Sequence, residues 1–283
     1  MIVSGSTSQA FAAALADATG RELAAVEYDR FPDGELQVTL ADFETDDAVV
    51  VASTVSSDAH VELLQLQDAA REAGATEVTT VLPYMGYARQ DEAFTEGEPI
   101  SARAVARAVS TGTDRVLTVN PHEPAVCDFF TVPAEPVDAA GRLADPLPAD
   151  LTDPLFLSPD EGAIDLAATT RDAYGRGATD YFEKERDYDT GEIAIEPSDA
   201  AVADRDVVLV DDIVATGSTM SESVAVLAER GAARAFVTCV HPMLAADART
   251  KLERAGVAAI YGTDTVERSV SAVSAAPAVA ERL

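Results

Sequence analysis

The chain has 283 residues, 47% of them hydrophobic, with 50 acidic residues against 20 basic ones and a formal net charge of −30. That length accommodates two domains of ordinary size, and the apolar content supplies their cores, which excludes a disordered chain. So acidic a surface repels nucleic acid and anionic membranes, and no apolar run approaches the roughly 18 residues of a membrane span, so the expected setting is the cytoplasm. Only Lys184 and Lys251 are lysines. A surface rich in acid and poor in lysine suits a cytoplasm of molar salt, where screening quenches self-repulsion. Cys127 and Cys239 lie in or beside apolar runs, and are read as buried thiols, neither a disulfide nor a zinc site.

In chain order, Met1–Val3 leads through a Ser-Gly-Ser-Thr-Ser turn into Ala-rich helical residues, which stop at Gly20 after about Thr19. Short strands are expected around Glu22–Tyr28 and Leu36–Leu40. Phe31-Pro32-Asp33-Gly34-Glu35 between them is a hairpin turn, Pro fixing φ and Gly supplying φ > 0. Ala48–Ala52 is an apolar strand, Asp58 caps a helix through about Ala73, and Gly74-Ala75 precedes the strand Val78–Leu82. Pro83-Tyr-Met-Gly-Tyr-Ala-Arg-Gln-Asp91 comes next. In it Arg89, beside Gln90, offers a planar fork suited to phosphate oxygens or to pairing with Asp91. Gly97-Glu-Pro-Ile-Ser101 opens the following helix, and Thr118-Val-Asn-Pro-His122 ends on a histidine that reads equally as a helix cap.

Pro133 to Pro159 holds six prolines and little periodicity, the composition of a linker. The domain boundary is placed near it, giving domains 1–140 and 141–283. Ser158-Pro-Asp160 reads unaided as an ordinary turn. Gly175-Arg-Gly177 has no strand directly before it and is a turn, not a dinucleotide site, and no P-loop pattern occurs. Tyr181-Phe-Glu-Lys-Glu-Arg-Asp-Tyr-Asp-Thr-Gly191 is an acidic, aromatic loop that keeps Lys184, with Arg186 two residues on. In a chain nearly stripped of lysine, one retained there invites a chemical reason, an ammonium that follows developing charge, beside the plainer reading of a solvated loop lysine.

The most informative stretch is Val207-Val-Leu-Val-Asp-Asp-Ile-Val-Ala-Thr-Gly-Ser-Thr-Met220. Its apolar run reads as a parallel strand buried on both faces; from Met220 the period becomes helical, ending at Gly231. The turn therefore lies at the carboxyl end of a strand and the amino end of a helix, where open α/β sheets bind ligands. Gly217, Ser218 and Thr219 can aim backbone N–H groups and two hydroxyls at one anion. Asp211 and Asp212 suit sugar hydroxyls or a divalent metal. A plainer reading makes Thr219 and Glu222 a capping box. Strand start to glycine spans 25 residues from Val49 to Gly74 and 24 from Val207 to Gly231, so two βαβ units of one architecture are expected, with right-handed crossovers and parallel sheets.

The Asp211–Thr219 stretch resembles the phosphoribosyl-diphosphate loop shared by type I phosphoribosyltransferases and ribose-phosphate diphosphokinases, and alone leaves both open. Pro83–Asp91, Glu98–Ser101, Phe31–Glu35, Thr118–His122, Ser158–Asp160 and Tyr181–Gly191, in that family's order, resemble the diphosphokinases, particularly archaeal-type members. The resemblance implies two α/β domains of type I phosphoribosyltransferase-like fold, each a central parallel sheet flanked by helices. It implies transfer of the diphosphoryl group of ATP to O1 of ribose 5-phosphate. It further implies ATP binding by Phe31, Asp33, Gly34, Glu35, Arg89 and Gln90, and magnesium held by His122 and Asp160. Asp211, Asp212, Ala215, Thr216, Gly217, Ser218 and Thr219 would bind ribose 5-phosphate, with Lys184 and Arg186 catalytic. A homo-oligomer is also implied, Phe31–Glu35 of one subunit completing a neighbour's ATP site. Ala215 stands where many members carry an acid, and Glu92 where a base is usual. A phosphoribosyltransferase would leave Phe31–Glu35 and Tyr84–Asp91 unexplained. A regulatory, non-catalytic paralogue would not need His122, Lys184 and Arg186.

The charge excess carries a prediction. Dialysis from molar KCl to about 0.1 M, where the Debye length reaches about 10 Å, unscreens the acids; the chain is expected to lose its circular dichroism, and an unchanged spectrum would refute adaptation to salt.

Overall fold

A computed structural model of the chain describes residues 1–186, 193–197 and 201–283, with only the backbone followed at 183–186 and 193–197. It divides into two compact units. Met1–Asp138, Asp264–Glu267 and Ser274–Leu283 form the first; Ala139–Thr263 and Arg268–Val273 form the second. The sequence reading gave everything beyond residue 140 to a second domain, whereas the C-terminal residues return to the first. An α/β architecture of parallel sheets flanked by helices is present in each unit.

The first unit begins with β1 (Ile2–Ser4) and α1 (Gln9–Thr19), which ends on Gly20 at φ 68°. β2 (Ala25–Arg30) and β3 (Leu36–Ala41) pair as an antiparallel hairpin. β4 (Asp47–Val51), α2 (Ser57–Glu72), β5 (Glu77–Leu82), α3 (Ser101–Val109), β6 (Arg115–Val119) and β7 (Ala134–Val137) follow. The sheet order is β1-β4-β5-β6-β7, all parallel. Val49, Val50 and Val51 are fully buried, as both faces of a helix-covered parallel sheet require. The cap of α2 is Ser56, whose hydroxyl accepts the Ala59 N–H at 3.2 Å. Asp58, expected as the cap, instead occupies the first turn, where a carboxylate favours the helix dipole.

The proline-rich stretch read as linker is structured at both ends. Its first residues are β7, the edge of the first sheet, and an edge strand tolerates Pro136 because one side of it needs no ladder donor. Its last residues are β8 (Leu155–Ser158), inside the second sheet.

In the second unit β8 is followed by α4 (Ile164–Tyr174), β9 (Ala178–Arg186), β10 (Ile193–Pro197) and β11 (Asp206–Ile213). Then come α5 (Ser218–Glu229), β12 (Arg234–His241), α6 (Ala248–Ala255), β13 (Ala259–Thr263) and β14 (Ser271–Val273). The sheet order is β10-β9-β8-β11-β12-β13-β14, and every pairing is parallel except β10 with β9. Tyr181–Arg186 thus belongs to a strand where a loop was expected; residues 187–191 of that stretch lie outside the described residues. Val207, Val208, Leu209 and Val210 are each 0% exposed, a burial that stabilises by roughly 1.5–3 kcal/mol per side chain.

The first unit is closed by residues that come after most of the second in sequence. Ser53 Oγ donates to Thr265 O at 2.5 Å, Glu267 Oε1 accepts the Ala10 N–H at 2.6 Å, and α7 (Ala276–Ala280) packs on α1. Among the described residues no helix is long and apolar enough to cross a membrane.

At the start of β11, Asp206 is clamped at both carboxylate oxygens. Arg234 Nε donates at 2.8 Å and Nη2 at 2.6 Å, while the Thr152 N–H adds a third bond at 2.5 Å. The Arg234 hydrogen bond, against the opposing effect of burial, holds this carboxyl below its ordinary 3.8. A depressed pKa means the unfolded chain takes up the proton first, so the stabilisation is complete above about pH 3.8 and is lost as pH falls through the folded-state value. Arg234→Met should cost about 1–2 kcal/mol at pH 7, less than for a fully buried pair because the guanidinium side chain is 39% exposed. Denaturant unfolding in high salt measures it, and the gap from wild type should narrow below pH 3.8; a gap independent of pH would refute the assignment.

Candidate active site

The carboxyl ends of β8 and β11 are neighbours in the second sheet, with Leu157 paired to Leu209. Ser158 ends β8, and its hydroxyl donates to Asp160 O at 2.7 Å, turning the chain across that end. β11 runs three residues beyond the apolar run expected for it, so Asp211 and Asp212 stand on the strand itself. The Asp211 carboxyl accepts the Asp212 N–H at 2.9 Å. Its group is sunk among neighbours although the residue as a whole keeps some solvent contact. Burial first, then the charge of Asp212 and more weakly that of Asp160, push its pKa well above the ordinary 3.8. Three acids that the sequence reading divided between sugar and metal thus share one field.

The turn after β11 is an anion cradle in geometry. Gly217, at φ 70°, is the N-cap of α5, and no side chain caps the helix, so the capping box of Thr219 and Glu222 is not formed. The helix begins at Ser218, two residues earlier than its apolar period suggested. Ser221 N–H donates to Gly217 O at 2.8 Å. The N–H groups of Thr216, Gly217, Ser218 and Thr219 find no acceptor among the described residues. Thr216, Ser218 and Thr219 are exposed while Gly217 is buried. Several unpaired N–H groups beside a helix N-terminus suit a phosphate. Ala215, half-buried, contributes its carbonyl to the neighbouring segment, accepting the Ala245 N–H at 2.9 Å.

Cys239 stands opposite Asp211 in the sheet register. Burial, with the two acids adding to it, drives its thiol pKa up from the ordinary 9.0, so the thiol stays protonated.

The residues expected at ATP are in the first unit. The Phe31–Glu35 tip is closed by Phe31 N–H to Glu35 O at 2.9 Å and Gly34 N–H to Phe31 O at 2.8 Å, with Gly34 at φ 94° and the Glu35 N–H on Asp33 Oδ1 at 3.2 Å. Phe31 is left 48% exposed. Arg30 ties the tip to α2 through Asp58 at 2.6 Å, and Tyr87 meets the same helical turn through Ser57 at 3.4 Å. Both motifs therefore converge on the first turn of α2. Arg89 is exposed and has no hydrogen bond or ion pair among the described residues. Gln90, by contrast, is engaged: its side-chain oxygen accepts from Ser101 Oγ and its carbonyl from the Ala102 N–H at 3.1 Å, so it caps α3. That link explains why Pro83–Asp91 and Gly97–Ser101 occur together.

His122 follows β6 in the first unit and is exposed; Asp160 belongs to the second. Lys184 and Arg186 lie on β9, paired in register with Ile195 and Ile193 of β10. No group of three His, Cys, Asp or Glu side chains surrounds a single ion position among the described residues.

Comparison with known proteins bears on this geometry. A family model for the N-terminal domain of ribose phosphate pyrophosphokinase matches residues 1–112, and one for the phosphoribosyl transferase domain matches residues 138–272. Ribose-phosphate pyrophosphokinase of Halobacterium salinarum is 64% identical over the full length of both chains. That of Methanosarcina mazei is 43% identical, over 100% of this chain and 94% of its own. The crystal structure of phosphoribosylpyrophosphate synthetase from Mycobacterium smegmatis superposes with a TM-score of 0.83 at 26% identity, covering 100% of this chain and 96% of its own. With full-length identity of this order and a matching two-part fold, the chain belongs to the ribose-phosphate pyrophosphokinase family.

Proposed function

We propose that the chain converts ATP and ribose 5-phosphate into AMP and 5-phosphoribosyl 1-diphosphate. O1 of the sugar attacks the β-phosphorus, the bond from that phosphorus to the α–β bridging oxygen breaks, and the oxygen leaves with AMP. The observation that carries the reading is the pairing, at one end of the second sheet, of an anion cradle with the Asp211–Asp212 acids. The cradle fits a 5-phosphate and the acids fit ribose hydroxyls, so ribose 5-phosphate is spanned from both ends. Phe31, Asp33, Gly34, Glu35, Arg89 and Gln90 are assigned to ATP. Phe31 offers an exposed face for stacking, and Arg89 an exposed guanidinium with no partner among the described residues. Gln90 reaches ATP only if its Ser101 bond is shared or exchanged.

The acids also fit magnesium. Asp160, Asp211 and Asp212 crowd negative charge that a divalent cation relieves, and Mg²⁺ takes only one or two carboxylates, filling its shell with water and substrate phosphate. His122 and Asp160 are each assigned to magnesium, which when bound would supply neutralisation of phosphate charge. Lys184 and Arg186 are assigned to the charge that grows on the transferring group. The reading includes a cytoplasmic, salt-adapted homo-oligomer in which the exposed Phe31–Glu35 tip serves a neighbour's ATP.

The test is AMP release from ATP that requires both ribose 5-phosphate and Mg²⁺; release without ribose 5-phosphate would refute it. Lys184→Ala should lower kcat by about 10²–10³-fold with both KM values nearly unchanged, because its ammonium acts only as charge develops. Lys251 pairs with Asp247 at 3.0 Å on α6, a surface contact worth little, and Lys251→Ala should leave kcat as it was. Equal behaviour of the two variants would remove Lys184 from the mechanism. Asp211→Asn should raise KM for ribose 5-phosphate more than KM for ATP; a rise for ATP alone would move Asp211 to the metal.

A further inference from the structure

The cradle does not hold its shape unaided. Beside it runs the segment joining β12 to α6, bonded to the cradle's base by three backbone contacts. Val214 N–H donates to His241 O at 3.2 Å, Leu244 N–H to Val214 O at 2.9 Å, and Ala245 N–H to Ala215 O at 2.9 Å. The segment is itself pinned. At its start Pro242 lies so close to Gly262 of β13 that a Cβ on that glycine would come within 2.6 Å of the proline ring. Within it, Leu244 and Ala246 take left-handed conformations at φ 44° and 51°. Both are strained for non-glycine residues, and such strain persists only where the surroundings over-determine the backbone.

The support ends at Ala248, the first residue of α6, fully buried and bonded back through its N–H to Ala245 O at 3.1 Å. Against it stands Gly217. A Cβ on Gly217 would lie 3.1 Å from both Cβ and O of Ala248 and 3.2 Å from its Cα. Both the backbone and the methyl group of Ala248 thus crowd the space beside the glycine that opens α5. Gly217 sits in the middle of the unpaired N–H groups of Thr216–Thr219, so any displacement of it re-aims them together.

We infer that Ala248 is a positioning residue for the phosphate cradle: its methyl group sets the height of Gly217 and with it the direction of the cradle's N–H donors. The inference rests on the assignment of that cradle to the 5-phosphate of ribose 5-phosphate. Amide donors work over a few tenths of an ångström, and a displacement of about 1 Å by a remote substitution can cost on the order of 10²-fold.

The full chain in high salt tests it with three variants, Ala248→Gly, Ala248→Ser and Ala248→Val. Each is read by KM for both substrates, by calorimetric titration with ribose 5-phosphate alone, and by thermal midpoint. Ala248→Val should weaken ribose 5-phosphate by about tenfold or more in both KM and Kd, with KM for ATP within about twofold. Ala248→Ser should fall between it and wild type, and Ala248→Gly, which removes the methyl group, should also weaken ribose 5-phosphate more than ATP. A structural role alone would lower the thermal midpoint without this split between substrates. Should Ala248→Val fail to fold, Ala248→Ser decides. Unchanged ribose 5-phosphate affinity in the folded variants, or equal loss for both substrates, overturns the inference and leaves the reaction standing. Wild type that binds ribose 5-phosphate yet releases no AMP removes the proposed reaction, while weakened binding by Ala248→Val would still uphold the positioning role.

Discussion

On the proposed reading, holding a phosphate on a chain with a formal net charge of −30 is the constraint that the second unit has to meet. Long-range attraction is not available, so the anion has to be met by fixed local donors. Backbone N–H groups serve where side-chain cations are scarce, since they carry no counter-charge to be screened in molar salt and lose little freedom on binding. Their aim then depends on the backbone around them, which is why a glycine, a left-handed pair of residues and a buried alanine surround this loop. The acids at the end of β11 sharpen the constraint. Asp211, Asp212 and Asp160 make the potential beside the cradle more negative, and the same crowding that would expel a phosphate attracts a divalent cation.

Much of this was readable from the residues. The aliphatic run Val207–Val210, the switch to helical period at Met220 and the glycine between them located the strand, the helix and the turn that joins them. Other features escaped because their causes are distant in sequence. β11 continues through Asp211–Ile213 since β12 pairs with it that far, Ile213 opposite His241, and nothing in two adjacent acids announces a ladder. Prolines suggested a linker at 133–159, but Pro136 sits on an edge strand that does not need its donor. Ser56 and Asp58 both carry capping oxygens, and only the path of the backbone decides which one reaches an N–H. The approach of Ala248 to Gly217 joins residues with no shared pattern, and an alanine carries no chemical signature of such a role.

The first unit shows the complementary case, in which short motifs are legible but their connections are not. Phe31–Glu35 and Pro83–Asp91 are far apart in sequence, yet Asp58 and Ser57 draw both to one helical turn. The resemblance assigns Gln90 to ATP, and its bonds to Ser101 and Ala102 tie it to the first turn of α3. A side chain can hold a loop in place and still face a ligand, so its present bonds describe how the loop is fastened.

The return of the C-terminal residues to the first unit bears on how the protein comes into being. During synthesis the amino-terminal sheet emerges first but lacks the bonds to Ala10 and Ser53 made by Glu267 and Thr265, and the helix that packs on α1. Every residue of the second unit has been made before residues 274–283 exist. The unit that starts first is thus the one that finishes last, and an early-folding rule based on order along the chain would name the wrong half as the first to be complete.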